Sequence, residues 1–130
     1  MIEWISFFLF AVAALIHFYF FYVESFVIQK SAYAEKMKIS QETHNAIKPW
    51  AYNQGFYNLC LALGTCWGLS YVLKKQVMLA GILTGFCGLS MIVAGVALWF
   101  SVPRLRKLAL LQLVPPLLGF VFLFFHIAKW

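Results

Sequence analysis

WISFFLFAVAALIHFYFFYVESFVI, residues 4–28, is an apolar run carrying one imidazole, His17, and one carboxylate, Glu24. About 20 residues of helix, at ~1.5 Å rise each, cross the hydrocarbon of a bilayer, and this run exceeds that length. It reads as a transmembrane helix. His17 and Glu24 are seven positions apart; at ~100° per residue they project from one face, about 10 Å apart along the axis. A carboxylate at membrane depth costs roughly 2.5–3.5 kcal/mol on insertion scales, so it normally faces the protein interior or a wet cavity and has a partner there. Glu24 is therefore expected to point inward, where it suits proton transfer or the binding of a cationic group. The competing reading leaves Glu24 near a helix end in headgroup water and makes His17 an ordinary hydrogen-bonding group between helices.

The rest of the chain is of the same kind. Of its 130 residues 64% are hydrophobic and 11% charged, which places it outside soluble averages and predicts one membrane domain with no soluble domain left over. The first run lacks a basic leading segment, carries Glu3 instead and meets no small-residue cleavage pattern, so it is expected to be retained rather than removed as a signal peptide. Cys60, Cys66 and Cys87 fall in apolar segments without C-x-x-C spacing, and read as small core or lipid-facing residues rather than as disulfides or metal ligands. The formal charge of +6 comes from residues flanking apolar helices; membrane lipid headgroups, not nucleic acid, are the expected partner.

Four apolar segments, at approximately 4–28, 50–73, 76–100 and 108–128, predict an all-α, integral membrane four-helix bundle. Between the first two lies a polar linker, 29–48. In it Ser40 before Gln41-Glu42-Thr43 resembles an N-cap opening a short surface helix that ends before Pro49. Pro49 then suits the first turn of the second span, and His44 reads as a solvated surface residue. Lys74 and Lys75 form a tight turn. Seven Lys and Arg in the first and third connections (Lys30, Lys36, Lys38, Lys48, Arg104, Arg106, Lys107) oppose three on the other side (Lys74, Lys75, Lys129). The positive-inside bias thus expects both termini outside and the 29–48 linker in the cytoplasm.

With that topology Glu24 shares a level with Asn53, Gln54 and Tyr57 at the start of the second span and with Gln112 at the start of the fourth. His17 lies nearer mid-membrane, close to Asn58. The expectation is a polar pocket open toward the cytoplasmic leaflet, Glu24 in its wall and His17 toward its floor. Neighbouring residues on a helix diverge by ~100°, so some of the four polar groups from Asn53 to Asn58 must be structural. The third span repeats small residues, Gly81 and Gly85 among them, a spacing that allows close helix approach within the bundle and secondarily a homodimer seam. Pro115 and Pro116 free the carbonyls of Leu111 and Gln112 and predict a kink in the last span. Trp4, His126 and Trp130 look like an interfacial belt. His17 and Glu24 at i, i+7 are too far apart to share one metal ion, and no metal or other cofactor is expected.

Three motifs carry a resemblance: His17-Phe-Tyr19-Phe-Phe-Tyr22-Val-Glu24-Ser-Phe26, then Asn53-Gln54-Gly55-Phe-Tyr57-Asn58, then Gln112-Leu-Val-Pro115. In these the chain resembles a family of bacterial four-helix membrane proteins catalogued as a numbered domain of unknown function, thirteen hundred and four. The match covers nearly the whole chain; Ser25, where an apolar residue is expected, and the doubled proline depart from the pattern. The resemblance implies the bundle, a bacterial inner-membrane location and the polar set, Tyr22 included, and no established activity.

Three functions compete. A small hydrophobic or lipid-like molecule is bound in the pocket and acted on by an acid/base enzyme of isomerase type, with Glu24 as acid or base, His17 as a second shuttle, and Asn53, Asn58 and Gln112 positioning polar groups. The emopamil-binding-protein superfamily is similar in size and in burying such groups, without a shared motif. Alternatively the chain is a dimeric proton-coupled exporter of lipophilic cations, similar to small multidrug-resistance transporters with their glutamate in the first helix. The third reading is a structural membrane subunit without ligand.

Overall fold

The computed structural model describes residues 2–127, and side chains from residue 4 to residue 125. Helix α1 (Ile2–Tyr22) runs straight into a π-helical turn, Val23–Val27; a short α2 (Ser31–Met37) follows, then α3 (Gln41–Leu73), α4 (Val77–Ser101), a 3-10 turn at Pro103–Leu105, and α5 (Arg106–Ile127). Among the described residues there is no strand. Hydrocarbon offers the backbone no hydrogen-bond partner, so apolar spans close their own i to i+4 bonds. Among the described residues four stretches are long and apolar enough to cross a membrane: Trp4–Val27, Gln41–Leu73, Val77–Ser101 and Pro103–Phe125. The chain is a multi-pass membrane protein.

The spans form a four-helix bundle in which α1 and α4 each pack against both α3 and α5 and face each other across the diagonal. Large apolar side chains such as Phe8, Met78, Phe86 and Phe100 point outward, and the interior is built of Ala13, Ala14, Ala62, Ala80, Ala109 and small polar residues. That is the inverse of a soluble core. Between helices already surrounded by lipid the hydrophobic effect supplies no net drive, so close backbone approach and interhelical hydrogen bonds hold the bundle. Phe10 is the exception: its ring, 2% exposed, crosses the diagonal into a socket formed by Gly88 and Gly119. It also meets Phe120 edge to face at 5.2 Å. Below it the buried Ser6 hydroxyl donates to the Gly119 carbonyl at 2.8 Å, tying α1 to α5.

Several sequence expectations need correction. The second span does not begin at residue 50 after a separate surface helix; α3 is continuous from Gln41 through Pro49. Its cap is the expected one, Ser40 Oγ accepting from the Thr43 amide at 3.1 Å. Pro49 deprives only the Asn45 carbonyl of its donor, and both residues are exposed, at a helix end where water can take the missing donor's place. His44 is fully buried rather than solvated: its Nε2 donates to the Ile28 carbonyl at 2.6 Å and its ring stacks on Tyr33 at 5.9 Å. It fastens the linker, with α2, to the first turn of α3. The 29–48 linker is thus structured for most of its length. The last span is helical from Arg106 and continues through Pro115 and Pro116. Cys60 and Cys66 are exposed and Cys87 is buried. Trp4 is exposed; the expected belt positions of Trp130 and of the His126 side chain lie outside the described residues.

The seams between helices are set by glycine. A Cβ on Gly68 would stand 2.8 Å from the Thr84 backbone nitrogen, a contact only displacement of α4 relieves. A Cβ on Gly81 would meet nothing within 4 Å. Gly68→Ala is therefore expected to lower stability by about 1–3 kcal/mol through overpacking. Gly81→Ala is expected to raise it by up to ~1 kcal/mol through helix propensity. Unfolding titrations of the two variants in mixed micelles check the opposite signs.

Candidate functional site

The inward face of α1 is followed by its buried residues, Phe10, Ala13, Ala14, His17 and Phe20, at spacings of three and four. A continuing α-helix would place Glu24 next on that face. The π-turn, closed by Ile28 N donating to Val23 O at 2.8 Å, takes an extra residue per turn and delays the face by one position. Ser25 is accordingly the buried residue, at 4% exposure, and Glu24 stands half-buried at the edge of the α1–α3 seam. Glu24 is therefore not sealed in the bundle interior.

Opposite the turn lies Gly55. A Cβ there would collide with Ser25 Oγ and come within 3.3 Å of Glu24 Cβ and of the Ser25 amide nitrogen, so the absent side chain is what lets α3 approach. One turn on, the Asn58 amide Nδ2 donates to Glu24 Oε2 at 2.7 Å, a distance typical of a charge-assisted bond. Gln29 closes the end of the turn, its Nε2 donating to the Glu24 carbonyl at 2.9 Å and to the Lys48 carbonyl at 3.1 Å. The site is thus held by α3 on one side and by the structured linker below. Asn58 Oδ1 and Ser25 Oγ are buried and have no hydrogen-bond partner among the described residues. Together with the carboxylate they make a compact polar cluster in the α1–α3 seam.

The remaining expected site residues do not converge on Glu24. Asn53, Gln54 and Tyr57 are exposed, as is Tyr22, which stacks on Phe26 at 6.1 Å. The reason is angular: with Gly55 and Asn58 turned to α1, residues one and two positions away must face outward. Gln112 is buried but at another depth. Counting ~1.5 Å per residue from the contact of Phe10 with Phe120, His17 lies about 10 Å and Gln112 about 12 Å along the bundle, and Glu24 about 21 Å. Gln112 therefore belongs to the level of His17, not to that of Glu24.

His17 forms a second polar centre. It is fully buried, its Nδ1 meets the Ala13 carbonyl at 2.8 Å, and its ring packs edge-on to Phe20 at 5.8 Å. A carbonyl only accepts, so Nδ1 carries the proton and Nε2 is left as an acceptor; Nε2 has no partner among the described residues. Ser25 and Gly55 are the site residues that residue-type reasoning passed over. The signal for them was present in the small Gly55 set three positions before Asn58, but a π-turn leaves no mark in apolar periodicity.

A family model described as protein of unknown function (DUF1304) matches residues 11–124. Neither the curated proteins nor the solved structures contain a match.

The Glu24–Asn58 bond predicts energetic coupling. In a double-mutant cycle with Glu24→Ala and Asn58→Ala, unfolding in mixed micelles is expected to give a coupling of about 1–2 kcal/mol. Additivity within ~0.3–0.5 kcal/mol would mean the two groups do not meet.

Proposed function

The chain belongs to DUF1304, a family of proteins of unknown function, and we propose that it binds a lipid-like amphiphile by its cationic, hydrogen-donating head at Glu24. One observation carries this reading. One of the two N–H groups of the Asn58 amide is given to Glu24 Oε2, which leaves a half-buried carboxylate with acceptor capacity to spare at the seam of the π-turn and α3, beside the Asn58 carbonyl oxygen and the Ser25 hydroxyl. A partly exposed carboxylate with free lone pairs calls for a donor, and an ammonium supplies up to three N–H bonds with the complementary charge.

Access fits the same class of ligand. Glu24 lies three residues from the end of the span Trp4–Val27, near headgroup depth, and its half-burial opens it laterally. The exposed rings of Tyr22, the last residue of α1, and of Phe26 in the π-turn form an amphipathic surface of the kind enriched at membrane interfaces. The positive-inside bias of the 29–48 linker and the 101–107 connection supports a cytoplasmic position for this end, with both termini outside, and the family resemblance supports a bacterial inner membrane.

Binding accounts for the geometry better than acid–base catalysis does. His17 and Glu24 stand about 10 Å apart along the axis and share no hydrogen-bond partner, so they do not act as a pair on one reacting atom. Export of lipophilic cations needs the same carboxylate and is separated by experiment.

With the purified protein in micelles, a single-chain alkylamine is expected to bind more tightly than the alcohol of equal chain length. Glu24→Gln is expected to weaken the amine by about ten-fold or more, ~1.4 kcal/mol, and to leave the alcohol unchanged. An amine affinity unaltered by Glu24→Gln contradicts the proposal. Growth in lipophilic cationic dyes is expected to be the same for Glu24→Gln and wild type; lost tolerance in the variant would instead identify a transporter.

A further inference from the structure

At the end of the bundle opposite Glu24, α1, α4 and α5 part around a cleft of about 560 Å³ walled by Phe7, Phe10, Gly81, Gly85, Phe120 and Leu123, with Lys75 at its mouth. That volume lies within the ~300–1,000 Å³ range of small-molecule sites. We propose that the cleft seats one acyl chain of an anionic phospholipid whose phosphate is met by Lys75.

The shape and chemistry of the walls specify an apolar chain. Thr84, the hydroxyl residue of the lining, turns its Oγ1 against Gly68 of α3 and so offers the cleft no polar contact. Val77, Met78 and Ile82 beside it are exposed, which leaves the cleft open sideways to the bilayer. Gly64, Gly68, Gly88 and Gly95 each stand where a Cβ would strike a neighbouring helix, whereas Gly81 has nothing within 4 Å and Gly85 only the Phe120 ring at 3.9 Å. Glycine weakens a helix relative to alanine. At these two positions no packing within the chain compensates for it, and room for a chain from outside does.

The charge is placed to match. Lys75 follows α3 at the α3–α4 turn and is exposed, at the depth of headgroups. Gly81 and Gly85 lie about 9 and 15 Å below it along α4 at ~1.5 Å per residue, the direction in which the tail of a lipid runs from its phosphate. Lys74 is engaged over the Tyr71 ring at 5.3 Å, which leaves Lys75 as the compact point charge suited to a phosphate. Its backbone is left-handed, φ 58°, a conformation that asparagine adopts readily, so Lys75→Asn removes the charge without disturbing the turn.

The test uses the full chain, stripped of lipid in detergent, with melting temperature followed on adding phosphatidylglycerol or phosphatidylcholine. Phosphatidylglycerol is expected to raise the melting temperature more than phosphatidylcholine does. In Lys75→Asn the two lipids are expected to act equally. In the double variant Gly81→Leu, Gly85→Leu, which fills the cleft, the response to both is expected to be lost while the lipid-free melting temperature is no lower than that of wild type. Equal responses of the wild type to the two lipids overturn the proposal, as does a filled variant that responds as the wild type does. A filled variant whose oligomeric state falls in light scattering overturns it too, since the cleft is then a seam between copies of the chain.

Discussion

Everything at the polar end of this bundle depends on how closely α3 approaches the turn that ends the first span. Two backbones come together there because Gly55 has no side chain and because the π-turn swings Ser25, in place of Glu24, into the seam. The hydrogen bond from Asn58 to Glu24 is the consequence. It fixes a half-buried carboxylate near the end of the first span with one oxygen committed. A wider turn or a bulkier residue at position 55 would separate those groups. The linker contributes from below: Gln29 spans the Glu24 and Lys48 carbonyls and His44 anchors Ile28, so the end of the first span is held on two sides.

The two ends of the bundle are chemically opposite. Near Glu24 the polar groups are unusually many and the helices are tightly drawn together. At the other end α1, α4 and α5 separate around an almost wholly apolar cleft with a single lysine at its mouth. Between them lies the Phe10 socket, a rigid diagonal plug of ring against glycine, and then the His17 level. One set of four helices thus carries a half-buried carboxylate near one end and an apolar cleft beside Lys75 at the other.

The architecture was readable from the chain because long apolar runs and their connections are strong signals, and a span that buries an acid has few ways to do so. The turn at Lys74 and Lys75 and the Ser40 cap followed from residue type and spacing, whereas the expected inward face of α1 holds at His17 and passes to Ser25 in place of Glu24. What escaped was whatever a neighbour decides. His44 looks like any polar linker residue until Ile28 and Tyr33 are brought against it. Pro49 breaks helices on average and not here, because the carbonyl it deprives is exposed. Asn53, Gln54, Tyr57 and Asn58 have equal claims by composition, and only the rotation of α3, set by Gly55, selects Asn58. Counting from the ends of the spans puts Gln112 level with Glu24, and the Phe10–Phe120 contact moves it to the level of His17.

The central claim is that the Glu24 carboxyl and the Asn58 side-chain amide touch in the membrane. Solid-state magnetic resonance on the isotopically labelled protein in lipid bilayers measures this directly, through the dipolar coupling between Glu24 Cδ and Asn58 Nδ2. The account predicts a resolved cross-peak corresponding to a hydrogen-bonded pair. A Glu24 carboxyl that couples to lipid headgroups or water and shows no coupling to Asn58 would contradict it.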